Sequence, residues 1–247
     1  MVVGHGMGNS VHLREDSVEP SPPAKGVLRV YGMKFCPYVH RLKLVLAAKG
    51  VKHETVNINL KSKPKWYFAK NPAGKVPTIE CDGIVIYESD ITSEYADAVY
   101  PGRKLATTEP LKLAKEKMLL SHWAQTVSNG FYRYGYSKDD EVKATAVEVA
   151  KTGFVKLAAY LESNGSTFIC GSQPGLTDYM LYPHLERMNA ILPVKLSQYP
   201  PLKAYFDKMQ GDPAVQACRF SDELHCEFVN KALAGSKEAY DIGPVEK

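Results

Sequence analysis

The sequence predicts an α/β domain followed by an all-α domain. Three observations carry that expectation. Residues 27–100 alternate short apolar runs with helical patterns and close on a tight hairpin and a helix. Residues 101–110, from Pro101-Gly102-Arg103 to Glu109-Pro110, have the composition of a linker. Beyond them no convincing strand recurs, and apolar residues fall at helical spacing. The boundaries expected are an N-terminal Pro-rich flexible extension over 1–26, the α/β domain over 27–100, a linker over 101–110 and the helical domain over 111–247. A chain of 247 residues is long enough for two such cores.

The elements follow in order. Residues 1–26 show no period and end in Pro20, Pro22 and Pro23, as a tail or an extended segment lying on the body does. Val27–Tyr31 reads as a strand. A helix over 37–49 has apolar residues at Val39, Leu42, Val45 and Leu46, opens on Pro37 and closes on Gly50. Val56, Ile58 and Leu60 alternate with Asn57 and Asn59 as a second strand, parallel to the first. A short helical piece near Lys65–Lys70 precedes Asn71-Pro72-Ala73-Gly74. Two strands joined by Asp82-Gly83 form a hairpin. Ser89 is a good N-cap for a helix over 89–100, with Ile91, Tyr95, Ala98 and Val99 on one face. In the second domain Met118, Leu119, Trp123 and Val127 make one helical face, and Val147, Phe154, Leu157, Ala158 and Leu161 another. A helix after Gly175 carries Asp178 at its third position, able to reach back to the cap N–H. Further helices open at Pro200-Pro201 and at Asp212-Pro213, and a polar tail runs to Lys247.

Composition excludes several function classes. The hydrophobic fraction of 45%, charged fraction of 23% and net charge of +4 are those of a soluble globular protein with no strong polyanion partner, so no nucleic-acid partner is expected. No apolar run reaches membrane-helix length, which speaks against stable membrane insertion. Met1–Gly26 lacks the apolar core of a secretory signal, so a cytoplasmic location is expected, with the five cysteines mostly reduced. Their spacing matches no zinc pattern, and no metal is expected. Gly4-His5-Gly6-Met7-Gly8 follows no strand and opens no helix, which argues against a phosphate loop.

The chemistry centres on Lys34-Phe35-Cys36-Pro37-Tyr38. A strand precedes it and a helix follows, with Pro37 at the first helical position. Cys36 therefore sits at the helix N-cap, where orphan N–H groups and the positive end of the helix dipole favour the thiolate. A buried structural cysteine is the competing reading. Val39 occupies the fourth position, so the motif carries no resolving thiol. A lone reactive thiol needs an outside thiol to complete a redox cycle, and glutathione fits that need through a mixed disulfide.

These residues together resemble the omega class of cytosolic glutathione transferases. The resemblance runs from about Gly26 to Phe228. It is carried by Phe35-Cys36-Pro37-Tyr38, Asn59-Leu60-Lys61-Ser62-Lys63-Pro64, Asn71-Pro72-Ala73-Gly74-Lys75-Val76-Pro77, Tyr87-Glu88-Ser89 and Thr177-Asp178-Tyr179. A cysteine in place of Tyr or Ser, with a Pro-rich N-terminal extension, marks the omega class. The resemblance implies a thioredoxin-like domain followed by a helical domain, usually in a homodimer. It implies that Cys36 forms the mixed disulfide and that Val76, before a cis Pro77, pairs its backbone with glutathione as an added strand. It assigns Glu88 and Ser89 to the γ-glutamyl group, Lys63 to the glycyl carboxylate, and Tyr38 to the neighbourhood of the thiol. It further implies thiol transfer and reduction of a small oxidised or disulfide co-substrate, such as dehydroascorbate or methylated arsenic acids, with weak conjugating activity.

Departures fall in the second domain. His184 and His225 stand where the family has tryptophan, near Arg187, and these three are expected at the co-substrate pocket. Gly175 replaces the usual Ser or Thr cap. Two other readings compete: an intracellular chloride channel-like protein sharing the fold, and a catalytically silent glutathione-binding relative. The sequence assigns no regulatory role to Cys81, Cys170, Cys218 or Cys226.

Overall fold

The computed structural model describes residues 11–243 of the chain. The glycine-rich Gly4–Gly8 stretch, the start of the extension and the last four residues lie outside the described residues. The described chain forms two compact units. One holds the residues through Arg103 together with those from Asn230 on; the other is Lys104–Val229.

In the first unit the elements are β1 (Arg29–Gly32), α1 (Pro37–Ala48), β2 (Glu54–Asn57), α2 (Tyr67–Lys70), β3 (Thr78–Cys81), β4 (Ile84–Tyr87) and α3 (Ser89–Val99). The sheet order is β2-β1-β3-β4. β1 and β2 are parallel, and the other neighbours are antiparallel. The β1–α1–β2 crossover is therefore the expected parallel unit. Val39, Leu42, Leu44, Val45 and Leu46 of α1 are buried, each worth about 1.5–3 kcal/mol relative to exposure. Gly32 lets α1 approach β1 closely: a Cβ there would stand 2.9 Å from Val39 Cγ1. α1 ends as expected, with Gly50 at φ 65° and N–H groups of Gly50 and Val51 on the carbonyls of Ala47 and Leu46. Asp82 and Gly83 both have positive φ, the requirement of a tight hairpin turn.

Four expectations for this unit need correction. β2 begins two residues before Val56, because Glu54–Asn57 pair with Arg29–Gly32. Ile58 instead bridges Leu13 of the extension, whose N–H and C=O bond Asn57 C=O and Asn59 N–H at 2.8 and 2.9 Å. Over its described part the extension is thus fastened to the sheet edge rather than flexible; Ser17 C=O also accepts from Trp66 Nε1, and Ser21 C=O from Arg29 Nη1. The tail expected with the helical domain groups with the first unit, where Lys61 Nζ donates to Ala232 C=O at 3.0 Å. Ser89 is not the cap of α3 but its first residue; Glu88 is the cap, at φ 73°.

The second unit is helical: α4 (Pro110–Trp123), a π-helical turn (Ala124–Ser128), α5 (Asn129–Tyr136), α6 (Asp140–Asn164), α7 (Leu176–Ile191), α8 (Pro200–Gln210), α9 (Pro213–Cys218) and most of α10 (Asp222–Leu233). Trp123, Val127, Phe154, Leu157 and Leu161 enter its core as expected. Met118 does not; it is 70% exposed. The Asp178 carboxylate accepts from the cap N–H of Gly175 at 2.9 Å and also from Ile169 and Cys170 N–H, so it fastens the preceding loop as well as the helix start.

Candidate functional site

One row of the sheet organises the site. Tyr31 of β1 pairs with Thr78 of β3, and Thr78 pairs with Tyr87 of β4. Gly32, the next residue of β1, pairs with Asn57 of β2. The chain leaves or enters all four strands at this level. Cys36 follows β1, Lys63 follows β2, Val76 and Pro77 precede β3, and Glu88 and Ser89 follow β4. Residues far apart in sequence are thereby delivered to one sheet edge, the carboxyl end of the parallel pair, where α/β sheets present their ligand sites.

Cys36 is the N-cap of α1, with Pro37 at the first helical position, and no side chain caps the helix there. The first turn of α1 carries no acidic residue of its own to offset its N–H dipoles. Cys36 is in no disulfide and is 7% exposed. Tyr38 is half-buried, and the Arg41 guanidinium lies 4.9 Å from its ring centroid. Arg41 Nη1 also donates to Ser89 Oγ at 3.3 Å, tying α1 to the start of α3.

The Val76–Pro77 bond is cis. Among the described residues neither the N–H nor the C=O of Val76 has a hydrogen-bond partner. Its flanks are held firmly. Tyr67 Oη donates to Lys75 C=O at 2.6 Å and meets Thr78 Oγ1 at 2.9 Å, and Asn71 Nδ2 donates to both at 3.0 and 3.2 Å. Burial first, then the charges of Tyr31 and Cys36, push the Tyr67 phenol up, so it stays protonated as a donor. The loop is thus anchored on both sides of Val76, whose own N–H and C=O are left unpaired among the described residues.

Lys63 leaves a loop shaped by Asn59, whose Oδ1 accepts from the N–H groups of Lys61 and Ser62. Its ammonium lies 6.0 Å from the Phe68 ring centroid and has no carboxylate partner among the described residues. Gly74 makes room for that packing: at φ 60°, a Cβ would stand 2.7 Å from Phe68 Cε1 and 3.3 Å from Lys63 Cδ. The Glu88 backbone adopts a conformation rare outside glycine, one that typically costs on the order of 1–3 kcal/mol and concentrates at functional sites. Its side chain is exposed, while Ser89 is 7% exposed at the head of α3. The first N–H groups of α3 have no intrahelical partner, which suits an anion.

His184, Arg187 and His225 are placed differently from expectation. They are 0%, 3% and 1% exposed, inside the helical unit. Glu186 Oε2 lies 3.2 Å from His225 Nε2 and 3.3 Å from Arg187 Nη1, and Tyr182 Oη donates to Glu186 Oε1. Arg187 Nη1 also donates to Pro183 C=O at 2.8 Å. Burial and the Arg187 charge hold His225 below the usual histidine range. Arg187 and His225 thus belong to an internal polar network joining α7 to α10, while the His184 ring packs edge-on against Tyr132 at 6.3 Å. Among the described residues no three His, Cys, Asp or Glu gather as a metal site. Sequence reasoning missed Arg41 and Tyr67. Arg41 lies three positions after Tyr38 on the same helix, a spacing that foretells their contact; Tyr67 had no such signal.

Comparison with known proteins places this geometry. The sequence profile described as "Glutathione S-transferase, N-terminal domain" matches residues 35–99, and "Glutathione S-transferase, C-terminal domain" matches 140–208. The chain is 38% identical over 239 residues to glutathione S-transferase omega-1 of Mus musculus, covering 95% of this chain and 98% of that one. It is 36% identical to omega-2 of Homo sapiens, covering 94% and 96%, and 33% identical to pyrimidodiazepine synthase of Drosophila melanogaster, covering 93% and 96%. Among solved structures, glutathione transferase Omega 3C of Trametes versicolor shares the fold, with a TM-score of 0.70 at 22% identity over 86% of this chain and 94% of that one. Matched in both domains, and similar along nearly its whole length to omega-1 and omega-2 proteins, the chain belongs to the omega class of the glutathione S-transferases.

Proposed function

We propose that this protein is a glutathione-dependent thiol transferase and reductase with Cys36 as its only catalytic thiol. The observation that carries the reading is Cys36 at the N-cap of a helix with no acid in its first turn, beside a cis-proline loop whose Val76 backbone is unpaired among the described residues. Glutathione adds to Val76 as a short strand, Lys63 receives its glycyl carboxylate, and Glu88 with the head of α3 receives its γ-glutamyl ammonium and carboxylate. The Cys36 thiolate attacks the glutathione sulfur of a glutathionylated disulfide; the S–S bond breaks and the other thiolate leaves. A second glutathione thiolate then attacks the Cys36 mixed disulfide, releasing oxidised glutathione and restoring the Cys36 thiolate. With dehydroascorbate, two glutathione thiols supply the two electrons and two protons. Dehydroascorbate and methylated arsenic acids are the co-substrates of this reading. Conjugation is weak, because Cys36 traps glutathione as a disulfide instead of holding its free thiolate. The protein works as a cytoplasmic homodimer.

The test compares the native chain with Cys36→Ser in glutathione-dependent reduction of a small disulfide and of dehydroascorbate. Both activities should fall by about 10³-fold or more. Equal turnover in the two proteins would overturn the assignment.

A further inference from the structure

The β1–α1 loop that presents Cys36 is fastened by residues far from it in sequence. Cys36 N–H donates to Met33 C=O at 2.9 Å, closing a turn over Met33–Cys36. The N–H of Lys34, the second residue of that turn, is not used by the turn itself. Lys34 is 4% exposed, so this N–H requires a buried acceptor. His12 of the extension supplies one, with Nε2 3.2 Å from Lys34 N. His12 is itself buried. Because an N–H donor faces Nε2, that nitrogen is unprotonated and the ring proton sits on Nδ1. Nδ1 lies 2.9 Å from Asp241 Oδ1, which also accepts the His12 N–H at 2.8 Å. Arg14 Nη2 holds the other Asp241 oxygen at 2.9 Å, and the Tyr240 ring packs against His12 at 5.6 Å. Lys34 Nζ donates to Ile242 C=O at 2.8 Å. The groups facing His12 in these contacts include Asp241, the Lys34 backbone and Tyr240, with Arg14 and the Lys34 ammonium one step away.

We infer that His12 is a positioning residue for Cys36, its tautomer fixed by Asp241 so that Nε2 holds the Lys34 amide and, through it, the turn that sets the thiol at the head of α1. The inference rests on the reading of Cys36 as the catalytic thiol. A carboxylate that orients a histidine which in turn holds a third group is a familiar arrangement. Here the third group is a backbone amide beside the reactive sulfur. The residue joins both ends of the described chain to the active loop, since His12 comes from the extension and Asp241 from the C-terminal segment.

The experiment uses the full chain with His12→Phe, which fills the space without an acceptor, and His12→Gln, which keeps both a donor and an acceptor. Site-resolved alkylation of Cys36 at neutral pH is measured alongside kcat and KM for glutathione-dependent disulfide reduction. His12→Phe should slow alkylation and lower kcat by about tenfold while KM for glutathione changes by less than about twofold. His12→Gln should recover both rates to within about threefold of the native chain. Native rates in a folded His12→Phe chain, or a His12→Gln chain as slow as His12→Phe, would overturn the inference. Hydrogen exchange on the native chain decides independently of any variant: the Lys34 amide should be among the slowest to exchange, and fast exchange would overturn it. Should Cys36→Ser retain reductase activity, the functional reading fails, while the alkylation comparison still reports on His12.

Discussion

Two cysteines stand near helix starts in this protein, one in each unit, and their surroundings differ. Cys36 caps α1, whose first turn has no acidic residue. Cys170 lies just before α7, whose start is already filled by the Asp178 carboxylate. Cys170 N–H donates to Asp178 Oδ2 at 3.1 Å, and its Sγ lies 3.6 Å from Glu116 Oε2. Burial first, then the charges of Asp178 and Glu116, push the Cys170 thiol well above its ordinary range. In α7 the start of the helix is used by a carboxylate and the nearby thiol is held protonated; the proposed role of Cys36 needs the opposite arrangement, which the acid-free first turn of α1 supports.

The largest expected effect comes from breaking the α7 arrangement. Asp178→Asn removes a buried charge that accepts three backbone N–H groups, from Gly175, Ile169 and Cys170. Urea unfolding should show a loss of about 3 kcal/mol, since orphaned buried donors cost about 1–3 kcal/mol each. The same variant should make Cys170 easier to alkylate. A smaller effect follows from crowding each helix start. In Gly175→Ala the new Cβ would meet Cys170 Sγ at 2.7 Å and Leu105 C=O at 2.7 Å, whereas in Gly32→Ala it meets Val39 Cγ1 at 2.9 Å. Overpacking of this kind costs about 1–3 kcal/mol. Thermal unfolding should place Gly175→Ala below Gly32→Ala, because a backbone oxygen gives way less easily than a methyl.

The smallest effect is in alkaline stability. The native state holds the Cys170 proton more tightly than the unfolded chain does, so its contribution is present below the ordinary thiol value near 9.0 and is lost as pH rises above it. Cys170→Ser should flatten the decline of folding stability above that pH while leaving glutathione-dependent reduction unchanged. An unaltered decline would show that Cys170 is not pinned as the thiol.

Much of this end of the sheet was legible in the sequence because its signals are local. A strand followed by Cys36-Pro37, the Asp82-Gly83 turn and the Gly50 stop each act within a few residues. Assigning Lys63, Val76, Glu88 and Ser89 to one site needed the family resemblance, and the strand register then explains why they converge. What was not legible is what depends on distant partners. His12 meets Lys34 from 22 positions away, and Lys61 meets Ala232 from 171. No periodicity announces such contacts. Lys49 is held in the same way, its Nζ enclosed by Asp97 Oδ1, Asp97 C=O and Arg103 C=O, 48 and 54 positions away. His184, Arg187 and His225 read as pocket residues because two of them stand where the family has tryptophan, whereas all three are buried and Glu186 meets Arg187 and His225 in the interior.

The most direct measurement is site-resolved alkylation of the native protein as a function of pH, following the Cys36 and Cys170 peptides together by mass spectrometry. Cys36 should react at neutral pH with a midpoint below the ordinary thiol value, and Cys170 should stay unmodified until the pH is strongly alkaline or the protein unfolds. Equal reactivity of the two thiols, or a Cys36 that reacts only at alkaline pH, would contradict that contrast.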